Sequence, residues 1–230
     1  MKKILIVLII FYPIHSYTQG WSFEYSLGYG AYQLDNVKAI QNGILESNRY
    51  GLKEFDRFPD RITHTFALGY MVGSSHLGSN FSYLTTGGRL HRADYSGSYT
   101  VDMIMNGYRL GAFFREHANI GDLPLQIYLQ ISLGALFSNL KMKEEIYIYS
   151  ESAKESNTLK GVGMYVEPTI GVTYRLTDWL RFSLSGGYEL DFLGTLKVSG
   201  QKTQTEANWS GLRLYGGFTF FLPDRKFSIK

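Results

Sequence analysis

The sequence contains no cysteine. That absence excludes a disulfide framework, thiolate chemistry, a Cys-bound metal and lipid attachment through a mature N-terminal cysteine. Long apolar runs are also missing. Beyond Ile4 to Phe11 no stretch approaches the roughly 20 residues that a bilayer-spanning helix needs. Charge of one sign is scarce: 23 Lys and Arg against 20 Asp and Glu give +3. Without Lys2 and Lys3 the balance is 21 minus 20, or +1, which leaves no basis for a nucleic-acid partner or a polybasic membrane contact. Paired histidines at ligand spacing are absent, so neither a metal nor another cofactor is expected.

What is present begins with MKKILIVLIIFYPIHSYT over residues 1–18. Two lysines, an apolar core and small polar residues read as a secretory signal peptide, leaving 19–230 as one exported domain. From Trp21 onward the dominant signal is alternation. In Trp21-Ser22-Phe23-Glu24-Tyr25-Ser26-Leu27-Gly28-Tyr29-Gly30 every odd residue is large and apolar, and every even residue is small or polar. Comparable two-faced strands are expected at Ile62 to Val72, Leu77 to Thr86, Met103 to Arg115, Leu125 to Phe137, Val162 to Leu176, Leu180 to Phe192 and about Trp209 to Leu222. Gly73-Ser74-Ser75-His76 makes a tight hairpin between the second and third. Eight strands is an even number, as bacterial outer-membrane barrels require.

The connections alternate long and short, which puts the long ones at one end. That is the pattern of short periplasmic turns and long extracellular loops. None of the eight predicted strands contains a lysine; their polar face carries Gly, Ser, Thr, Tyr, Gln and a few Arg and Glu. Such a face suits a crowded polar interior, with the apolar face turned to lipid and aromatic residues gathered toward the strand ends. Pro168 sits inside the sixth strand, where a closed barrel offers no free edge, so a bulge is expected there.

Eight strands, alternating loops and an N-terminal signal resemble the small outer-membrane barrels of the OmpA and OmpX type, over essentially the whole mature chain. The stretch Thr86-Gly87-Gly88-Arg89-Leu90-His91-Arg92-Ala93-Asp94-Tyr95-Ser96-Gly97 resembles a loop of uncharacterised barrel proteins from Bacteroidetes-type bacteria. The resemblance implies an all-β, antiparallel, up-and-down transmembrane barrel in the outer membrane of a Gram-negative cell, in contact with outer-membrane lipids. Many barrels of this type end on an aromatic residue. This chain instead continues from Pro223 to Lys230 after Phe218, Phe220 and Phe221.

Ionisable groups on the inward register are Glu24, Glu167, Glu189 and Asp191 against Arg109, Arg115, Arg175, Arg181 and Arg213. With signs nearly balanced and a bore just wide enough for side chains, an ion-pair network across the interior is expected. The sharper alternative is a narrow ion path in which Glu167, Glu189 and Asp191 set selectivity. Catalysis would need a hydroxyl, a histidine and a carboxylate brought together. The candidates are His64 near an extracellular strand end with Glu54 and Asp56 in the adjoining loop, and His91 beside Asp94 and Ser96; His76 and His117 are expected to be solvated in periplasmic turns. With no oxyanion site or oriented base in view, no catalytic residue is assigned.

The first long loop, Gln33 to Arg61, is read as an ordered loop, with a short amphipathic helix through Val37, Ile40, Ile44 and Leu45 as the alternative, capping the mouth or lying at the headgroups. The third combines Tyr147 and Tyr149 with a charged run from Lys143 to Glu155, suited to extending a hairpin above the membrane or meeting a partner. The expected function is a non-enzymatic envelope protein or a surface barrel presenting loops to an extracellular ligand. The alternatives are a small porin-like channel and a lipid-modifying enzyme.

Overall fold

The structure, a computed structural model, describes residues 19–47, 51–149, 151–192, 194–198 and 201–223. Residues 1–18, assigned above to a signal peptide, and the tail beyond Pro223 lie outside them. Alternation becomes strand throughout: β1 (Gln19–Gly30), β2 (Lys53–Arg57), β3 (Arg61–Val72), β4 (Ser75–Asp94), β5 (Gly97–Asn119), β6 (Leu125–Ile148), β7 (Glu151–Arg175), β8 (Leu180–Phe192), β9 (Thr195–Val198), β10 (Gln201–Glu206) and β11 (Gly211–Pro223), with one helix, α1 (Asp35–Ser47).

Eight of these close a ring. Neighbours pair antiparallel in the order β1, β3, β4, β5, β6, β7, β8, β11, and β11 returns to β1, where Gly20 stands opposite Pro223 and Gly30 opposite Arg213. A closed ring leaves no lipid-exposed backbone edge. Its exterior shows Trp21, Phe23, Leu27, Leu68, Leu110, Ile131, Leu133, Ile170, Leu184 and Leu214, all substantially exposed, while strands of the same ring turn Ser22, Ser26, Ser132, Thr169 and Ser183 inward. An apolar wall exposed over the full height of a closed barrel is a lipid-facing wall, and the barrel sits in an outer membrane. No helix among the described residues is long and apolar enough to cross one.

The expected bulge at Pro168 does not form. The ladder between β7 and β8 skips Glu167 and Pro168 and resumes at the same register, Val166 opposite Leu190 and Thr169 opposite Gly187. On the other side Pro168 keeps its place opposite Ile131. The missing N–H is therefore absorbed as a two-position gap in one ladder, with no inserted residue.

The larger departure from the sequence reading lies above the membrane. Beyond the expected strand ends, β4 and β5 run on as paired strands from Gly88–Met103 to Asp94–Gly97, and β6 and β7 from Phe137–Val162 to Ile148–Glu151, where two long loops were expected. Lysines therefore do occur in strands, at Lys53, Lys197 and Lys202 in the short strands β2, β9 and β10 and at Lys141, Lys143, Lys154 and Lys160 in these extensions. There the polarity of the two faces reverses. On β6 the outward register changes from Leu133 and Phe137 to Lys141 and Lys143, while the inward register changes from Gln130 and Ser132 to Leu136 and Leu140. The inward side chains of the extensions, Leu84, Leu90, Val101, Met103, Met105, Leu136, Leu140 and Leu159, build a second, water-soluble type of core.

The first loop closes over that core, and it is the amphipathic helix rather than a helix-free ordered loop that forms there. Leu34 and Val37 are fully buried, and Ile40, Ile44 and Leu45 pack against the cluster. Leu34 O accepts from Val37 and Lys38 N–H at 3.0 and 2.9 Å, starting the helix. Leu34 and Phe58 both hold left-handed backbone conformations, φ 44° each, which apolar residues rarely adopt. Both are buried in the cap, so burial offsets that strain. Gln41, on the same helix, donates to Asp56 O at 2.7 Å and fastens α1 to β2, which itself pairs with β4.

Candidate functional site: the barrel interior and its mouth

Inward positions of adjacent strands meet at matched heights because the registers are fixed, and they stack the charged groups in two tiers. In the lower tier, β5 supplies Arg115 and β1 supplies Glu24: Nη1 and Nη2 donate to the two carboxylate oxygens at 2.9 and 3.2 Å. Thr219 Oγ1 donates to the same carboxylate at 3.0 Å, and Arg115 Nε donates to Gln130 Oε1 at 2.7 Å. The guanidinium lies over the Tyr128 ring, 4.5 Å from its centroid. A bidentate, fully bonded pair of this kind is what a buried charge requires.

The upper tier joins four groups from four strands. Arg109 Nη1 on β5 donates to both Glu167 on β7 and Glu189 on β8. Arg213 Nη2 on β11 lies 3.1 Å from the same Glu189 oxygen. Arg109 Nη2 reaches Ser82 Oγ and Tyr215 OH at 3.0 and 3.2 Å, and Tyr215 OH donates on to Glu167 at 3.2 Å. Two arginines and two glutamates make the tier neutral. Between the tiers lies a cavity of about 40 Å³ bordered by Glu24, Asn80, Arg109, Arg115 and Glu167, large enough for a water molecule.

Three of the predicted interior residues do not join this arrangement. Arg175 ends β7 in an exposed position. Arg181 is buried, but it donates to Gln126 Oε1 at 3.1 Å and stacks 4.3 Å over Phe221, with no carboxylate partner among the described residues. Asp191 stands one level higher, where its Oδ2 accepts the backbone N–H of Trp209 at 3.0 Å.

That contact leads to the residue the sequence reading placed in a strand and the structure places in the mouth. Trp209 is completely buried. Its indole N–H donates to Ser138 Oγ at 2.9 Å and its ring meets Tyr32 edge to face at 4.9 Å. Gly107 packs closely beside it, since a Cβ there would lie 3.1 Å from the indole and the ring would have to shift by a few tenths of an ångström. Arg213, also completely buried, ties this stopper to the upper tier: Nη2 donates to Trp209 O at 2.6 Å and Nη1 to Ala31 O at 3.0 Å. One arginine thus joins Glu189 below to the two loops that close the barrel above. A tryptophan followed by Ser210-Gly211 was the available signal, because Gly211 holds φ 150° and its Cβ would lie 1.9 Å from Ala31 O.

The periplasmic end is filled as well. His76 and His117, expected in solvent, are buried inside the bore. β4 starts at Ser75 and β5 runs to Asn119, so both histidines fall on the inward register of strands longer than the alternation suggested. His76 Nε2 lies 2.6 Å from Ser22 Oγ, and its ring packs against Phe113 at 5.1 Å.

The catalytic candidates do not converge. His91 Nδ1 lies 2.9 Å from Thr100 Oγ1 across the β4–β5 ladder, whereas Asp94 Oδ1 accepts from both the N–H and the hydroxyl of Ser96 at 2.9 and 2.5 Å. His64 lies 3.0 Å from Tyr25 OH on the lipid-facing side. Among the described residues no group of three His, Asp or Glu is placed to hold a metal ion.

No family model matches the chain, and no curated protein matches it in sequence. Among solved structures it is similar to Neisserial surface protein A (10% identity, 89% of this chain and 97% of that one, TM-score 0.41). It is also similar to Ail, the attachment invasion locus protein of Yersinia pestis (12%, 90% and 100%, TM-score 0.38), and to the N-terminal β-barrel domain of Pseudomonas aeruginosa OprF (11%, 89% and 99%, TM-score 0.35). This chain's own closed ring and apolar exterior make it a membrane barrel.

Proposed function

We propose that this envelope barrel is a sealed, non-conducting, non-enzymatic scaffold that holds a folded cap above the outer membrane for contact with an extracellular partner. The observation that carries the reading is the unbroken filling of the bore. From the periplasmic side it is occupied by His76 and Phe221, the Arg115–Glu24 pair, the Arg109–Glu167–Glu189–Arg213 tier, Trp209, and finally the apolar core of the cap. The cavity of about 40 Å³ between the two neutral tiers has room for water but not for a hydrated ion. A conducting path would have to pass Trp209, which is completely buried and held by Ser138 and Tyr32.

The cap is the surface left for recognition. At the far ends of the two extended hairpins Tyr95, Tyr147, Ile148 and Tyr149 are exposed around a groove of about 390 Å³ lined by Arg92, Asp94, Tyr99 and Ile146. Exposed Tyr95, Tyr147 and Tyr149, with the serines and glycine of Ser96-Gly97-Ser98 beside them, give contact area at low entropic cost.

Planar-bilayer recording of the refolded chain tests the seal. The wild type and the Glu189→Gln and Arg213→Gln variants are expected to be silent, because neither substitution removes the Trp209 indole or its bond to Ser138. Discrete conductance in the wild type, altered by either variant, would make the interior charges an ion path and overturn the reading.

A further inference from the structure

The outer wall of the β6–β7–β9 extension carries a group of lysines that the barrel itself does not neutralise. Lys160 on β7 stands directly opposite Lys197 on β9, and Lys202 on β10 stands in register opposite Lys197. On the neighbouring strand Lys141 lies opposite Thr158, one diagonal step from Lys160. Lys141, Lys160 and Lys197 are exposed, and none of them belongs to an ion pair among the described residues. Like charges placed directly across a ladder repel and destabilise a sheet.

Carboxylates near this wall are engaged or apart. Asp102, opposite Lys143, is bound by Arg89 at 2.5 and 3.0 Å; Glu145 pairs with Lys154 at 2.7 Å, farther from the membrane. Glu206 is exposed on β10 opposite Thr195 and makes no ion pair with Lys197.

Height decides what sits there. The outward residue immediately below Lys160 on β7 is Val162, and two positions below Lys141 on β6 come Asn139 and then Phe137; Val162 and Phe137 are both exposed lipid-facing side chains, as is Phe192 at the top of β8. One outward step is about 7 Å along a strand. The lysines therefore stand just above the hydrocarbon, where their alkyl stems can lie on the apolar wall and their ammonium groups reach the headgroup layer.

We infer that Lys141, Lys160 and Lys197 form a phosphate-binding site for the headgroup of a phosphorylated glycolipid of the outer leaflet, which neutralises the cross-strand repulsion and fixes the barrel's height and rotation among its lipids. The inference rests on the outer-membrane seat of the barrel and is independent of whether the bore conducts.

The test uses the full mature chain refolded into phosphatidylcholine nanodiscs containing either diphosphorylated lipid A or the same lipid with its phosphates removed. Native mass spectrometry counts the glycolipid retained per barrel after transfer to detergent. Retention of the diphosphorylated lipid by the wild type is expected, with a fall of roughly tenfold to a hundredfold in the Lys141→Gln/Lys160→Gln/Lys197→Gln variant. The corresponding triple arginine variant retains it, and 0.5 M salt weakens it. Three outcomes would overturn the site: equal retention by the glutamine variant, equal retention of the dephosphorylated lipid, or displacement by millimolar inorganic phosphate, which would mark free phosphate as the ligand. All three variant positions are exposed, and heat-modifiable gel migration verifies folding. A chain that inserts into neither lipid mixture would remove the membrane placement itself, whereas an inserted barrel indifferent to phosphate removes the lysine assignment alone.

Discussion

Arg109 holds two carboxylates and Glu189 holds two guanidinium groups, so single substitutions in the upper tier have unequal consequences. Glu189→Gln leaves the fully buried Arg213 without its counter-charge, and an unpaired buried charge costs about 3–5 kcal/mol. Glu24→Gln strips only Arg115, in a tier that is slightly more open to solvent. Urea unfolding in lipid vesicles should rank Glu189→Gln below Glu24→Gln in stability. Arg213→Met added to Glu189→Gln should recover part of the loss, since the orphaned charge is then gone; no recovery would place the cost elsewhere. Trp209→Phe removes the bond to Ser138 and is expected to cost about 1 kcal/mol, while Trp209→Ala opens the mouth at about 3–5 kcal/mol and should be the first variant to pass ions in planar bilayers.

At the hairpin tip the two hydrogen bonds from Ser96 hold the Asp94 carboxyl below the ordinary carboxylate range. A depressed folded-state value means this local order is complete above the range of a free carboxyl and is lost as pH falls through the depressed value. Amide exchange at Ser96 should rise along that acid limb, and Asp94→Asn should flatten it.

The elements divide into a membrane part and a cap, and the sequence announced the two unequally. Alternation revealed β1, β3 and β8 almost to the residue, because their apolar and polar faces stay constant from end to end. It hid the upper halves of β4 to β7. There period two continues, but the apolar face passes from outside to inside as lipid gives way to water, so a reading that follows one face takes the change for the end of the strand. Leu136 and Leu140 on the register of Gln130 and Ser132 are the visible mark of the exchange. The inward register legible around Arg213 also carried Tyr215 into the upper tier. The mouth was less legible, because Trp209 acts through Asp191, Ser138 and Tyr32, which come from distant loops and strands that no local pattern brings together. His76 and His117 were misplaced for a simpler reason: strand ends a few residues longer than their alternation moved them from turn to bore.

A cap with its own core should fail separately from the barrel. Phe58→Ala, in a buried left-handed position, is expected to destabilise the cap by about 3–5 kcal/mol and to admit protease into the first loop, while heat-modifiable migration of the barrel is unchanged. Joining Glu144 directly to Glu155 through a two-residue turn, at cross-strand partners, should remove the β6–β7 tip and spare both cores, because the cluster reaches no higher on these strands than Met142 and Leu159. Protease resistance of the first loop in that variant, equal to wild type, is the readout; new cleavage would show that the tip supports the cap.

For the whole molecule the two environments share one set of strands. A one-residue slip in β6 would turn Gln130 and Ser132 toward lipid and, in the same step, Lys141 and Lys143 toward the cap core. Each half thereby checks the register of the other.

The cap core also has a consequence for the order of events during biogenesis. Its side chains come from β4, β5, β6 and β7 on one side of the ring and, on the other, from Tyr32, Leu34, Val37, Phe58 and Trp209 in the loops joining β1 to β3 and β8 to β11. The first and last strands of the chain must meet before those loops stand opposite those strands. The outside of the protein can therefore finish only after the seam between β1 and β11 has closed, which makes the cap a record of completed insertion that an unfinished barrel cannot display to the world outside the cell.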